Sequence, residues 1–387
     1  MGFWFWRAVV AGFVVSSSWV LSAGADGSSL PPCDFPAIYN FGDSNSDTGG
    51  ISAAFEPIRA PYGETFFHKP AGRSSNGRLI IDFIAERLKL PYLSAYLNSI
   101  GTNYRHGANF ATGGSTIRRQ NETIFQYGIS PFALDMQIVQ FDQFKARTGD
   151  LYNHVKNKRG ARKLPVPEDF SKALYTFDIG QNDLSVGFRT MSLDQLRAAI
   201  PDIVGQLATA VQHLYKQGGR AFWIQNTGPF GCLPVNLFYV SDPAPSGYLD
   251  EYGCVKAQNE MAVKFNSELK DRVTKLRAEL PEAAITYVDV HAAKIGLISS
   301  AKKEGFGDPL KVCCGYHVKY DHIWCGNWGA LNNHTKVYGS PCEDPSTSVS
   351  WDGVHYSQAA NQWIADHTQN GLLTYPPIPI THACHRL

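Results

Sequence analysis

The stretch FPAIYNFGDSNSDTGG, residues 35–50, begins with apolar residues and ends with small polar residues and glycines. Ala37 to Phe41 is rich in β-branched and aromatic residues, which predicts a strand, and the glycines that follow permit a tight turn into a helix. Parallel sheets place their functional loops at the carboxyl ends of their strands. Ser44 lies in such a loop, where a serine either caps a helix or attacks a substrate.

The rest of the chain alternates between short strand patterns and long helical patterns, which predicts a parallel sheet flanked by helices. Further strands are predicted at Ala173–Asp178, Ala221–Gln225 and Ala284–Asp289. Helices are predicted at Leu79–Leu88, from a capping box at Ser192–Gln195 to Gly218, at Cys254–Leu280 and at Ser357–Asn370.

The bulk composition favours a globular protein with a weakly charged surface. The 387 residues carry 35 Lys and Arg against 34 Asp and Glu, a formal charge of +1. No broad field of one sign is present to attract nucleic acid or anionic lipid, so a neutral or weakly polar partner fits better. One domain is the default expectation for an α/β protein of this length.

The N-terminus has the pattern of a signal peptide. Arg7 is the only charge before an apolar stretch from Ala8 to Leu21, and Ala23-Gly24-Ala25 has small residues where a signal peptidase cuts. A membrane span is the alternative, but the stretch is short and has serines at its centre. We therefore predict a signal peptide at 1–25 and a single secreted domain at 26–387.

The eight cysteines all follow the predicted cleavage point. An even number in a secreted chain favours disulfides, with a zinc site as the weaker alternative because no C-x-x-C pattern occurs. We predict the pairs Cys33–Cys384 and Cys232–Cys254 and leave the other four cysteines unassigned. The sequons at Asn121 and Asn333 are predicted glycosylation sites.

The stretch SWDGVHYS, residues 350–357, supplies the partners that a nucleophilic serine needs. Asp352 and His355 are three residues apart, so one turn of chain can bring the carboxylate to Nδ1 of the imidazole. Nε2 then points toward a hydroxyl elsewhere. A single D-x-x-H pattern is weak, because loop histidines are often only hydrogen-bonded surface residues.

Two further blocks supply donors for an oxyanion. FDIGQNDL, residues 177–184, places the Asn182 amide after a predicted strand, and GANFATGGST, residues 107–116, contains Gly113, where a backbone N–H can approach closely. Taken singly, each is more often a turn residue. Asp43, Asp47 and Asp183 are interpreted as turn-forming and supporting residues.

The four blocks in this order resemble the GDSL, or SGNH, hydrolases. CDFPAIYNFGDSNSDTGG, PYGETFFHKPAGRSSNGRLIIDFIAE, FDIGQND, NTGPFGCLP and WDGVHYSQAAN are similar to the plant branch, including early-nodulin-type and latex esterases. The resemblance implies Ser44 as nucleophile, His355 as base and Asp352 as its orienting acid. It implies an oxyanion hole from Ser44, Gly113 and Asn182. Asn45 stands where the family motif has Leu, which affects only local packing.

The resemblance also implies a fold and an activity. The expected fold is a flavodoxin-like three-layer α/β/α sandwich with a mostly parallel sheet, and no G-x-S-x-G elbow is present to suggest an α/β-hydrolase fold. The expected activity is hydrolysis of carboxylic esters through an acyl-enzyme, with no cofactor and no metal. Expected substrates are small-molecule or polysaccharide esters, acetyl and short-chain esters ranking above long triglycerides.

Alternative functions remain at this point. An acyltransferase would use the same acyl-enzyme with an alcohol acceptor. A non-catalytic secreted glycoprotein would contain the same residues but would not use them for catalysis. The loop from Cys232 to Cys254 either walls an apolar pocket or covers the core. We expect no nucleic acid partner and no stable membrane insertion. The expected location is extracellular or in the cell wall, with the vacuole as the alternative.

Overall fold

A computed structural model describes residues 1–2, 30–120, 127–154, 160–318, 321–332 and 334–387. The chain divides into two compact units, Met1–Pro31 and Pro32–Leu387, and all the helices and strands given below belong to the second. The predicted signal peptide lies outside the described residues apart from positions 1–2. The predicted glycosylation sites Asn121 and Asn333 lie outside them as well.

A six-stranded sheet forms the centre of the second unit. Its strands are β1 (Ile38–Gly42), β2 (Gly107–Asn109), β3 (Leu174–Asp178), β4 (Ala221–Gln225), β5 (Ala284–Val288) and, last in the chain, β10 (Thr374–Tyr375). Their order in the sheet is β10-β5-β4-β3-β1-β2, with every neighbouring pair parallel except β10 and β5. Four more strands form two hairpins outside this sheet: β6 (Gly315–Val318), β7 (Asp321–Trp324), β8 (Trp328–Ala330) and β9 (Lys336–Tyr338).

Helices cover the sheet in two groups. The helices are α1 (Gly50–Ala54), α2 (Glu64–Phe67), α3 (Ile80–Arg87), α4 (Leu134–His154), α5 (Gln181–Thr190), α6 (Leu193–Lys216), α7 (Lys256–Glu279), α8 (Val290–Ser300) and α9 (Gln358–Thr368). Helix α6 packs against α4, α5 and α7, whereas α9 packs against α3 and α8. The predicted three-layer fold with a mostly parallel sheet is therefore confirmed.

Aromatic side chains fill the layer between the sheet and α4. Tyr39 stacks on Phe170 with ring centroids 5.1 Å apart, and Phe41 stacks between Phe110 and Phe177, each at 5.3 Å. All five rings are at most 3% exposed. Burying one such ring stabilises the fold by about 1.5–3 kcal/mol, so this layer holds β1 and β3 firmly in place.

The predicted elements agree with the structure to within one or two residues. Each of the four predicted strands is present, and Ser192 and Gln195 form the predicted capping box. The Ser192 side chain accepts a hydrogen bond from the Gln195 N–H, and the Gln195 side chain accepts one from the Ser192 N–H. Strands β2 and β10 were not predicted, because three and two residues are too few to show a period.

Four disulfides cross-link the described chain. Cys33–Cys384 and Cys232–Cys254 confirm the two predicted pairs, and the unassigned cysteines form Cys313–Cys342 and Cys314–Cys325. The last two disulfides lie in the segment that carries the hairpins β6–β7 and β8–β9. These four cysteines pack in one small apolar cluster with the buried Trp351. The segment with the two hairpins is therefore fixed against Trp351.

Candidate active site

Ser44 lies in the turn that follows β1. The Gln137 side chain of α4 makes two hydrogen bonds to the end of this strand: its oxygen accepts from the Gly42 N–H at 2.9 Å, and its amide donates to the Gly42 oxygen at 2.8 Å. A Cβ at Gly42 would lie 2.3 Å from the Ser46 Oγ and 2.7 Å from the Asp178 oxygen. Glycine at position 42 therefore lets the chain turn sharply enough to present Ser44.

His355 and Asp352 lie in the loop just before α9, and both contacts required of a catalytic base are formed. His355 Nε2 lies 2.8 Å from Ser44 Oγ, and His355 Nδ1 lies 2.7 Å from Asp352 Oδ2. The other carboxylate oxygen, Oδ1, accepts the backbone N–H groups of Val354 and His355 at 2.9 and 2.8 Å. The loop geometry thus aligns serine, imidazole and carboxylate.

Asp47 ties the loop after β1 to the loop after β2. Its carboxylate accepts the N–H groups of Gly49, Gly50 and Ile51 at the start of α1, and Oδ2 also accepts the N–H of Gly113 at 2.7 Å. Asp47 is only 1% exposed. These bonds agree with the supporting role predicted for Asp47, and the position of Gly113 relative to Ser44 depends on them.

The backbone N–H groups of Ser44, Gly113 and Gly114 differ in whether they have an acceptor. The Gly113 N–H is occupied by Asp47, whereas in the described part of the chain the N–H groups of Ser44 and Gly114 have no hydrogen-bond partner. Ser44, Gly113 and Gly114 all line the same cavity. Of the two glycine N–H groups, that of Gly114 is therefore the one without a protein acceptor among the described residues.

Asn182 occupies the second position of α5 and also lines this cavity. Its amide nitrogen donates to the Ser115 oxygen at 2.9 Å, which leaves the second amide hydrogen for another acceptor. The next residue, Asp183, accepts the N–H groups of Ile117 and Arg118 at 2.8 and 3.0 Å. Asn182 and Asp183 therefore connect α5 to the loop that carries Gly113 and Gly114.

Charges around His355 favour a strong base. Burial alone lowers the pKa of His355, but the charge and hydrogen bond of Asp352 outweigh burial and raise the pKa above 6.5. For Asp352, burial raises the pKa, and the charge and hydrogen bonds of His355 outweigh it and hold the pKa below the ordinary value. The pair therefore stabilises an imidazolium once a proton reaches Nε2.

A buried acid pair and a buried lysine lie behind the nucleophile, and no sequence pattern indicated them as a group. Burial and, next, the charge of Asp178 raise the pKa of Asp43 to about 7, and burial also raises the pKa of Asp178. Lys294 is 4% exposed, and its Nζ lies 4.4 Å from the centre of the Tyr356 ring. Burial lowers the pKa of Lys294, while the charges of Asp178 and Asp43 oppose that effect.

A further contact to the acid comes from Tyr62, whose hydroxyl donates to Asp352 Oδ2 at 2.8 Å. The two residues are 290 positions apart in the chain. Tyr62 belongs to the PYG block that contributed to the family resemblance, but no spacing rule relates that block to the acid.

The cavity in front of Ser44 has a volume of about 1040 Å³. Its wall includes Leu233, Val235 and Tyr239 of the loop between Cys232 and Cys254, and Leu233 and Val235 also pack against the core, so this loop does both of the things expected of it. Trp324 of β7 lies on the same wall. Within the described ranges, the one cluster of three potential metal ligands is Cys33, Cys384 and His385, whose cysteines form a disulfide.

Comparison with known proteins agrees with this geometry. The model of the GDSL-like lipase/acylhydrolase family matches residues 38–368. The chain belongs to the GDSL lipase/acylhydrolase family. It is 72% identical over 356 residues to a GDSL esterase/lipase of Arabidopsis thaliana, covering 92% of this chain and 91% of the relative.

Two further relatives correspond to the expected plant branch. An esterase of Hevea brasiliensis is 48% identical, with 92% of this chain and 90% of the relative covered. The GDSL esterase/lipase ENOD8 of Medicago truncatula is 46% identical, with 92% and 91% covered. This GDSL protein is therefore a carboxylic ester hydrolase of the plant type. None of the helices in its described ranges combines the length and apolarity needed to cross a membrane.

Proposed function

We propose that this GDSL hydrolase is a secreted serine esterase that forms an acyl-enzyme on Ser44. The observation that carries the proposal is the continuous hydrogen-bonded series from Ser44 Oγ to His355, at 2.8 Å, and from His355 to Asp352, at 2.7 Å. A nucleophile, a base and an orienting acid in this geometry are the parts that acyl transfer requires.

The first half of the reaction transfers the acyl group to the enzyme. Ser44 Oγ attacks the carbonyl carbon of the ester while its proton moves to His355 Nε2, and the carbonyl oxygen becomes an oxyanion. When this tetrahedral intermediate collapses, the bond to the alcohol oxygen breaks and the imidazolium returns the proton to the leaving alcohol. Asp352 holds the imidazole in place and stabilises its charged form throughout.

The second half releases the acid. Water gives one proton to His355 Nε2 as its oxygen attacks the acyl carbon, and the proton passes to Ser44 Oγ as the ester to the enzyme breaks. An alcohol in place of water would give a new ester instead. The products formed with and without an added alcohol therefore separate hydrolysis from the alternative acyltransferase activity.

The proposed oxyanion hole has three donors. These are the backbone N–H of Ser44, the backbone N–H of Gly114 and the second amide hydrogen of Asn182, whose first hydrogen is held by Ser115. Gly113 keeps its neighbour in place through the bond to Asp47. Donors fixed before the reaction stabilise developing charge without reorganisation, and each one typically contributes about 3 kcal/mol to catalysis.

The cavity supports an ester with a bulky alcohol part. A volume of about 1040 Å³ is at the upper end of the range of roughly 300–1,000 Å³ for small-molecule sites, far above what an acetyl group fills. Its wall combines polar side chains such as Glu56 and Asn236 with aromatic ones such as Tyr239 and Trp324 and aliphatic ones such as Ile58. The polar and aromatic side chains suit the alcohol part of a sugar or plant-metabolite ester, and on this basis we rank short acyl esters of such alcohols above long triglycerides.

Secretion is supported by the predicted signal peptide and by the four disulfides, which persist in oxidising compartments. Secreted expression followed by N-terminal sequencing tests it. The expected mature chain begins at residue 26.

The decisive test of the mechanism is active-site labelling. A fluorophosphonate should label the protein once, and Ser44→Ala should remove both labelling and hydrolysis of p-nitrophenyl acetate. Ser185→Ala is the matched control, because Ser185 lines the same cavity but has no part in the proposed mechanism. Labelling that survives in Ser44→Ala, or is lost in Ser185→Ala, would contradict the proposal. A series of p-nitrophenyl esters beside acetylated xylan then defines acyl length and alcohol.

A further inference from the structure

We propose that Tyr62 is a positioning residue for the catalytic acid, acting as a fourth member of the series Ser44–His355–Asp352. Its hydroxyl donates to Asp352 Oδ2, the same oxygen that faces His355 Nδ1. The inference rests on the proposed function, in which Asp352 orients the base.

The hydrogen bonds around Asp352 show what Tyr62 adds. Oδ1 accepts two backbone N–H groups, from Val354 and His355, and Oδ2 accepts from the imidazole and from the phenol. An ionised carboxylate has about four acceptor sites, two on each oxygen. With Tyr62 in place all four are used, so the carboxylate has no freedom to turn away from His355.

Tyr62 is itself firmly held. Its ring packs edge-on against Trp351 with centroids 6.0 Å apart, and it contacts the apolar cluster formed by the disulfides Cys313–Cys342 and Cys314–Cys325. The next residue is also fixed, because the Gly63 N–H donates to the Ser75 oxygen at 2.9 Å. The phenol therefore belongs to a rigid support, which is what a positioning residue requires.

The same segment reaches the catalytic loop a second time. Ser75 Oγ donates to the Tyr356 oxygen at 3.0 Å, one residue beyond His355. Residues 62–75 thus contact the loop at both ends of the pair Asp352–His355. A hydroxyl that served only to fill space would not need to be aimed at the carboxylate oxygen that the base uses.

Removing the hydroxyl should have two separable effects. Without the phenol, the negative charge on Oδ2 is less neutralised, so it stabilises the imidazolium more strongly and the pKa of His355 rises. The carboxylate also loses one of the hydrogen bonds that fix its orientation. The other charged groups that act on His355 are Asp43, which favours the imidazolium, and Lys294, which opposes it. His317 is a further titratable neighbour of Asp352. None of these three is changed by a substitution at position 62.

Tyr62→Phe tests the proposal, with Tyr175→Phe as the matched control. The Tyr175 hydroxyl likewise donates a hydrogen bond, to the Phe170 oxygen at 2.8 Å, but Tyr175 is fully buried in the core away from the site. The full-length protein is assayed with p-nitrophenyl acetate from pH 5 to pH 9, and Tm is measured in parallel. For Tyr62→Phe we expect kcat to fall about tenfold, and the acid limb of kcat/KM to move up by about half a pH unit.

The outcomes separate a positioning role from a purely structural one. A lower Tm with unchanged kcat and an unmoved acid limb in Tyr62→Phe would overturn the proposal, as would the same pH shift in Tyr175→Phe. Tyr62→Met, which lacks a donor but fills part of the space, replaces the phenylalanine variant if that one does not fold, and the same shift is expected. Activity that survives Ser44→Ala refutes the proposed function itself. Loss of activity in Ser44→Ala together with unchanged kinetics in Tyr62→Phe refutes only the role of Tyr62.

Discussion

Replacing Asp47 by asparagine is expected to lower the free energy of unfolding by about 3 kcal/mol. The carboxylate is 1% exposed and accepts four backbone N–H groups, two on each oxygen. Three of them open α1, and the fourth belongs to Gly113. Among the described residues, no other side chain accepts a hydrogen bond from any of these four N–H groups.

The magnitude follows from what an amide can replace. An asparagine side chain at position 47 has one oxygen, so two N–H groups keep an acceptor while the other two face an NH₂ group that cannot accept. Each lost bond to a charged acceptor costs about 1.5–3 kcal/mol, or about 3–6 kcal/mol for the pair. Burial raises the pKa of Asp47, so the neutral amide recovers part of the desolvation cost and the lower end of that range is expected.

Urea unfolding followed by tryptophan fluorescence, with the disulfides intact, measures the effect. Asp271→Asn is the control, because Asp271 is exposed on α7 and such a change typically alters stability by less than about 0.5 kcal/mol. If Asp47→Asn loses less than about 1 kcal/mol, the four hydrogen bonds do not support the loop as argued. Thermal unfolding should agree, with Tm lower by roughly 5 °C.

Three further results are expected. Asn182→Ala should lower kcat about a hundredfold with KM nearly unchanged, and a lower Tm with normal kcat per folded molecule would contradict the oxyanion role. Because Asp352 raises the pKa of His355, kcat/KM should rise with pH as a group with a pKa above 6.5 loses its proton, and a flat profile between pH 5 and 8 would argue against a histidine base. Asp352→Asn should lower kcat about 10⁴-fold without unfolding the protein. Burial raises the pKa of Asp183 to about 7, so the folded state binds the proton more tightly than the unfolded chain, and stability should fall by about 2–4 kcal/mol as pH rises from 4 to 7. Asp183→Asn should remove that part of the pH dependence in urea titrations, and an unchanged pH dependence would contradict the shift.

The central strands were predictable because each is a run of buried apolar residues with its own turn signals. Strand β2 escaped prediction because its three residues, Gly107–Asn109, lack the β-branched and aromatic residues typical of strands. Strand β10 is two residues long and exists only through its antiparallel pairing with β5. The hairpins between residues 315 and 338 depend on two disulfides whose pairing no spacing determines.

In the candidate site, too, residues in local sequence motifs were predictable and contacts between distant residues were not. Ser44, Asn182, Asp352 and His355 occur in short motifs whose order along the chain is informative, so the sequence was sufficient to nominate them. The contact of Tyr62 with Asp352 is made by residues 290 positions apart, and nothing local determines it. Our proposal of Gly114 in place of Gly113 rests on the bond between the Gly113 N–H and Asp47, which only the folded loops show.

The disulfide between Cys33 and Cys384 closes residues 33–384 into a covalent ring. It joins residues 351 positions apart whose Cα atoms are separated by 5.9 Å. On the chain-entropy model such a closure restricts the unfolded chain by about 5–6 kcal/mol. A protease that cuts once in an exposed loop therefore opens the ring without releasing a fragment, and the nick shows on a gel only after reduction. For the same reason a short peptide linker between these two positions should allow new chain ends to be placed at a surface loop between residues 33 and 384.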